Sequence, residues 1–344
     1  MNEPPRSAPV PPAWPALPAL SSRDTALCTP YPELVAAVRR AAVELVRGDI
    51  ASPPRHSVPL GGNGALLSMV AVAPDVAVHK LVGVVPDNPR RGLPTVQGHV
   101  DVLEARTASP LLRLDAATLT GRRTAAVTLL GIELLADGPP SCVLVVGTGA
   151  QALHHVMALR ALHPDARIEI LGRTHEATER FCAAHHFQGA RVTSHADAPT
   201  AASAAYASAL HAVARVQDSD ADVVIACTSS ATPVYALPAM PGRLLVAIGA
   251  FRPDRAEIDP ATVRASRCVV DDLANALGEA GDLLQARVDW NGVQALGDLL
   301  AGAQASADTR PALFKTVGSA AWDLAAARVA LVHARGARRH DPQK

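Results

Sequence analysis

Apolar positions along the chain follow three successive regimes. From Glu33 to Arg47, Leu34, Val35, Val38, Ala41, Ala42, Leu45 and Val46 recur at helical spacing until Gly48, which predicts an amphipathic helix. Between Ser57 and Asp115 the pattern shortens to β-type runs, 65–73, 76–85, 95–105 and 111–114, broken by Pro74-Asp75, by the loop 86–94 and by 107–110. Connections this short join antiparallel neighbours, because parallel ones need a crossover of about a dozen residues. Asp115 or Thr120 then offers the cap of a helix running to about Ala136, ended by Asp137-Gly138-Pro139-Pro140. Beyond that break, strands (142–146, 167–171, 223–227, 244–248, 268–270) alternate with helices (150–162, 176–185), the signature of parallel βαβ units. The stretch 311–334 again reads as helix, and its periodicity leaves open which half it packs on.

The fold class expected from this order is α/β, a Rossmann-type domain over 138–310 beside an α+β domain with an antiparallel meander, formed by 23–137 plus 311–344. Residues 1–22 are expected to stand apart as a disordered extension, since seven prolines in the first twenty residues oppose both helix and ladder.

Charge narrows the function. The 32 basic and 32 acidic residues cancel, so there is no overall field to hold a polyanion, and neither nucleic acid nor a membrane is expected as partner. Five scattered cysteines, with no C-x-x-C pair, suit a reducing compartment and argue against a zinc site, so no metal is expected. The chain has no run of about 18 apolar residues and no basic-then-apolar leader, which leads to a cytoplasmic expectation.

Two local features carry chemistry. Directly after the strand CVLVV stands Gly147-Thr148-Gly149-Ala150-Gln151-Ala152, a G-x-G-x-x-A turn opening a helix. The first glycine allows the tight turn, the second lets a pyrophosphate approach, and the phosphates then meet free N–H groups at the helix start. At the end of the next strand, where an NAD site usually has an acidic residue for the ribose hydroxyl, the chain reads Leu171-Gly172-Arg173-Thr174. A guanidinium there pairs with a 2′-phosphate, so NADPH is the expected cofactor, with NADH possible. The second feature is Lys80 in the strand VAVHKLVGVV. Alternation sends either Lys80 or its neighbours His79 and Leu81 inward, and an inward lysine is rare unless paired or working.

Lys80-Leu81-Val82, Pro86-x-Asn88, Gly92-Leu93-Pro94-Thr95-Val96-Gln97, Arg122-Arg123-Thr124-Ala125-Ala126 and the glycine turn together resemble the ornithine cyclodeaminase/mu-crystallin family over about residues 30 to 335. The resemblance implies a homodimer whose substrate and dimerisation domain faces a Rossmann domain across the active site. It implies that Arg55, Lys80 and Arg123 hold the substrate carboxylate and reacting centre, and that Thr124 neighbours cofactor or substrate. Arg173 and Thr174 would receive the NADP phosphate. Cys227-Thr228-Ser229 would pass along the nicotinamide, and Gly318 and Ser319 fall in the family's V-G-x-A-x-x-D stretch, here Val317 to Asp323.

One departure is informative. Cyclodeaminases and related alanine dehydrogenases carry G-A-D-x-P-G-K after the strand that here reads LLVAIGA, with the aspartate beside the substrate amine. This chain has Gly249-Ala250-Phe251-Arg252-Pro253-Asp254-Arg255. A phenyl ring neither binds an ammonium tightly nor acts as base. The GAF-x-P-D form resembles reductases of Δ1-pyrroline-2-carboxylate and Δ1-piperideine-2-carboxylate, with Phe251 against the ring of a cyclic imino acid and Lys80 as catalytic residue. The alternatives are another family activity (alanine or opine-type dehydrogenase, cyclodeaminase, ketimine reductase) or a non-catalytic NADPH-binding protein of the crystallin kind.

Overall fold

The computed structural model describes residues 17–61, 63–187, 192–194, 219–302 and 308–340. Helices α1 (Ser22–Leu27) and α2 (Tyr31–Arg47) precede five strands, β1 (His56–Leu60), β2 (Gly64–Val72), β3 (Val76–Val84), β4 (Val96–Glu104) and β5 (Pro110–Asp115). These pair in sequence order as an antiparallel meander, with Lys80 opposite Met69 and Val100. Alternation resolves cleanly on β3: Val76, Val78, Lys80 and Val82 face inward, His79 and Leu81 outward. Strand β1 escaped the periodicity because all five of its residues are exposed, leaving no buried face to alternate with.

Asp115 caps helix α3 (Ala116–Leu135), its carboxylate accepting from Thr118 N–H at 2.8 Å. Most of this helix is buried, and it touches both the meander and the second sheet; the Phe314 ring packs so closely on Gly131 that a Cβ there would collide. The second sheet is built from β6 (Cys142–Val146), β7 (Arg167–Leu171), β8 (Val192–Ser194), β9 (Val223–Ala226), β10 (Leu244–Ala247), β11 (Arg267–Val270), β12 (Gln294–Ala295) and β13 (Ala312–Lys315). All its pairings are parallel, in the order β12-β11-β13-β10-β9-β6-β7-β8. Helices α4 (Ala150–Leu162) and α5 (His175–Ala184) come after β6 and β7 respectively. One face of this sheet joins the core of the meander, α2 and α3, while the other packs on Tyr235, Ile258, Leu283 and their neighbours. Strands covered on both faces read as unbroken apolar runs.

Two sequence expectations need correction. The stretch 311–344 does not belong whole to the first domain: Ala312–Lys315 is β13, seated between β10 and β11, and the C-terminal helix (Ala320–His340) alone packs against β2, β3 and α2. A four-residue, fully buried strand has no period of its own and merges with an adjoining helical pattern. Nor do residues 1–22 stand wholly apart. Arg113 N–H donates to Pro18 O and Leu20 N–H to Arg113 O, both at 2.8 Å, so 18–20 line the β5 edge, where a proline carbonyl still accepts. Residues 1–16 lie outside the described residues. Among the described residues no helix is long and apolar enough to cross a membrane.

Candidate active site

In an open parallel sheet, ligands gather at the carboxyl edge where strand order reverses, here between β6 and β9. Gly147 begins the turn after β6 with φ +126°, a conformation that favours glycine, and a Cβ on it would lie 2.7 Å from Cys227 O. Gly149 is the N-cap of α4 with no side chain satisfying the first N–H groups. Thr148 and Gln151 are half-buried, Gly149 and Ala150 exposed, and a Cβ on Gly149 would meet nothing within 4 Å. This open, uncapped start of a 13-residue helix fits a pyrophosphate, which would find free donors and the positive end of the helix dipole. One strand over, Gly172 N–H donates to Thr178 Oγ1 and Thr174 caps α5 through Ala177 N–H. Arg173 is exposed and makes no ion pair with a described residue.

The strand-end loops beyond β9 and β10 are tied together by Glu257. Its carboxylate accepts from Thr228 N–H at 2.6 Å, Thr228 Oγ1–H at 2.9 Å, Ile248 N–H at 3.1 Å and Gly249 N–H at 2.5 Å. Asp282 in turn accepts from the backbone of Glu257 and Ile258 and pairs with Lys315 Nζ at 2.9 Å, all without solvent exposure. Burial pushes the Glu257 carboxyl up, against the pull of Lys315. Cys227 is buried against Val146 O, its thiol pushed up by burial, and Ser229 O accepts from Arg255.

A charged cluster forms where the meander meets the same edge. Lys80 Nζ lies 2.6 Å from Asp323 Oδ2, and Arg123 Nε donates to Asp323 Oδ1 at 3.1 Å. Lys80 is 2% exposed, Arg123 5% and Asp323 0%. Burial lowers Lys80 to about 8, reinforced by Arg123 and Arg55 and opposed by Asp323. Asp323 feels burial too, but Lys80 and Arg123 outweigh it and hold its carboxyl below the usual range. Arg55 joins from the loop after Pro53-Pro54, donating from Nη2 to Val317 O at 2.8 Å and Gly318 O at 2.9 Å. Ser52 Oγ and Ser319 Oγ meet at 2.9 Å, pinning that loop to the start of the C-terminal helix. Gly318, at φ +84°, lies so close to Arg123 that a Cβ would come within 2.9 Å of Nη1. Below it, Asp271 accepts from Val317 N–H, Gly318 N–H and Trp322 Nε1–H.

Of the residues singled out in the sequence, Arg55, Lys80, Arg123, Gly318 and Ser319 thus converge, with Thr124 buried on α3 beside Arg123. The glycine turn, Arg173-Thr174 and Cys227-Thr228-Ser229 line the carboxyl edge of the parallel sheet. From β6 to β13 is three strand spacings, on the order of 14 Å, a span suited to an extended dinucleotide. Phe251 is 38% exposed in the loop after β10 and makes no aromatic contact among the described residues. The sequence reading gave no role to Asp323, Asp271, Glu279, Glu257 or Asp282. Two signals were available: Asp271-Asp272 directly follows a buried strand at the carboxyl edge, and Asp323 is the one charged residue in the apolar start of the C-terminal helix, residues 320–327. Cys142, Glu169 and Asp220 bring possible metal-ligand atoms within 4.8 Å of one another. The Arg167 guanidinium already donates to Cys142 Sγ and pairs with both carboxylates, filling that position.

Comparison with known proteins agrees with this geometry. The sequence model of the ornithine cyclodeaminase/mu-crystallin family matches residues 21–337. The Delta(1)-pyrroline-2-carboxylate/Delta(1)-piperideine-2-carboxylate reductase of Azospirillum brasilense is 46% identical over 319 residues, spanning 91% of this chain and 95% of that protein. The ketimine reductase mu-crystallin of Mus musculus is 29% identical over 287 residues, spanning 82% and 85%. Among solved structures, the Thermococcus litoralis Delta(1)-pyrroline-2-carboxylate reductase in complex with NADH and L-proline has a TM-score of 0.80 at 23% identity, covering 93% of this chain and 98% of that one. That likeness speaks for the fold. With nine-tenths of its length matched and the cation cluster and glycine turn standing where the motifs put them, the chain belongs to the ornithine cyclodeaminase/mu-crystallin family.

Proposed function

We propose that this protein reduces cyclic imino acids, Δ1-pyrroline-2-carboxylate to proline and Δ1-piperideine-2-carboxylate to pipecolate, with NADPH as reductant. The observation that carries the reading is the convergence of Arg55, Lys80 and Arg123, in which Asp323 pairs with Lys80 and Arg123 and Glu279 with Arg55, while the nearby Asp271 is taken up by three N–H donors. Two carboxylates paired with three cations leave the cluster suited to an anionic ligand. The dinucleotide, when bound along the carboxyl edge, supplies hydride to the imine carbon.

The chain's own residues do the rest. Arg55 and Arg123 hold the substrate carboxylate, fixing the ring in one orientation, a positioning effect worth several kcal/mol of barrier. Lys80, held by Asp323 and lowered to about 8, is largely an ammonium at neutral pH, and its Nζ gives a proton to the imine nitrogen as the carbon is reduced. Phe251 covers the ring where an aspartate would serve a free amine, which favours imine reduction over deamination. Glu257 keeps the Thr228 and Gly249 loops in place beside the nicotinamide.

The exposed Arg173, without an ion pair among the described residues and beside the Thr174 cap, supports NADPH over NADH. The exposed Val58, Leu60, Val70 and Val72 on the outer face of β1 and β2 support a homodimer. The test is consumption of both reduced cofactors across a panel of cyclic imines, with Arg173→Ala alongside. Turnover of the five- and six-membered imines is expected, with KM for NADPH rising about tenfold or more in Arg173→Ala and KM for NADH nearly constant. Tight NADPH binding with no turnover of any imine would point to the binding protein instead, and an unchanged cofactor ratio would remove Arg173 from recognition.

A further inference from the structure

Arg55 Nη2 donates to the carbonyls of both Val317 and Gly318. Glu279 Oε2 lies 2.8 Å from the same nitrogen, itself buried, and Arg55 is the one cation it pairs with among the described residues. The two groups form a close ion pair in which Glu279 shares the guanidinium with those carbonyls. Glu279 closes the short helix Leu273–Glu279, which starts at Asp272 just past β11. The charged groups facing it are Arg55, Asp271 and Asp272, and those around Arg55 also include Arg123 and Asp323. Burial, with the two aspartates adding, pushes the Glu279 carboxyl up to about 7 in spite of Arg55.

A carboxylate ligand engaging Arg55 brings a second anion onto a guanidinium that already faces Glu279. Two carboxylates crowded on one cation favour protonation of one of them, and Glu279, already facing Asp271 and Asp272, is the one that gives way. We infer that Glu279 is a specificity-determining counter-ion, occupying Arg55 in the ligand-free protein and taking up a proton when the substrate carboxylate arrives. This rests on the reading of Arg55 as the carboxylate's partner. Its consequence is that affinity for ring carboxylates falls as pH rises above neutrality, through Glu279 rather than through the ligand.

The experiment is calorimetric titration of pyrrole-2-carboxylate, a ring carboxylate with no basic amine, into the NADP-loaded protein at pH 7.5 in two buffers of different ionisation enthalpy. Uptake of more than about half a proton per ligand bound is expected, with Lys80 the lesser contributor because it is still largely an ammonium at that pH. In Glu279→Gln, which keeps shape and removes the titration, uptake should fall to less than half the wild-type value and binding at pH 8.5 should be tighter than wild type. Binding to the wild type without that uptake, or the same uptake in Glu279→Gln, overturns the inference while leaving the role of Arg55 intact. No binding of the analogue to either protein overturns the role of Arg55, and the inference with it. Where that variant fails to fold, absence of uptake in the wild type still overturns the inference, and the same titration on Lys80→Met, with uptake retained, assigns the proton to Glu279.

Discussion

Replacing Lys80 by Met should lower kcat for Δ1-pyrroline-2-carboxylate by about 10²–10⁴-fold, the usual range for loss of a positioned proton donor. The variant is expected to fold, because Asp323 keeps Arg123 as its partner and the buried cluster retains a neutral pair. Binding of NADPH should be unchanged, since Lys80 lies on the meander and the cofactor turn on β6 and α4. The pH profile supplies a second readout. Lys80 is lowered to about 8, so its ammonium is present below that pH and disappears above it. The wild-type rate of reduction should therefore fall as pH rises through about 8, and the Lys80→Met protein should lack that limb. A variant with near-native kcat, or one in which KM alone rises, would reduce Lys80 to an electrostatic anchor.

Asp323→Ala should be strongly destabilising. It leaves Lys80 and Arg123, both nearly fully buried, with no carboxylate between them. Removing one partner of a buried ion pair costs about 3–5 kcal/mol, because the remaining charge stays out of water without compensation. A denaturant midpoint well below that of wild type is expected, together with loss of activity. Adding Lys80→Met to Asp323→Ala should recover part of the loss, since one of the two uncompensated cations is then gone. An Asp323→Ala protein as stable as the wild type would mean that the cluster is better hydrated than its burial implies.

The contrast between what the sequence carried and what it did not is clearest at single elements. Strands β6 and β7 and helix α4 lie at the residues expected from the sequence, because buried parallel strands are short unbroken apolar runs and Gly147 and Gly149 mark the turn between strand and helix. Lys80 was ambiguous for a physical reason. Alternation states that neighbours on a strand face opposite ways, and only the packing of β3 against the C-terminal helix, which brings Asp323, decides which way is inward. Strand β13 was hidden because its four apolar residues adjoin a helical pattern and pair with strands some 45 and 70 residues earlier in the chain. The acidic half of the site was illegible for the same reason. Glu279 meets Arg55 and Asp271 meets Gly318 across long sequence separations, and a carboxylate in a chain of 32 acidic residues carries no mark of its future partner. The cations stand in distinctive motifs, whereas their counter-ions become partners only when the C-terminal helix docks on β3 and α3 and the helix Leu273–Glu279 reaches Arg55.

The overall neutrality of the chain conceals this arrangement. Positive groups concentrate at two places at one edge of the parallel sheet, Arg173 beside the second strand and the Arg55, Lys80 and Arg123 cluster beyond β13. Under the proposed function each would face an anionic part of a ligand, a ribose phosphate in one case and a carboxylate in the other. Hydride delivery to the imine carbon is tested by transfer of label from NADPH carrying deuterium at the reactive nicotinamide carbon, one stereoisomer at a time, with Δ1-pyrroline-2-carboxylate as acceptor. Proline with one deuterium at C2 is expected from one of the two labelled cofactors; NADPH oxidation that leaves no deuterium in proline from either would contradict imine reduction at this site.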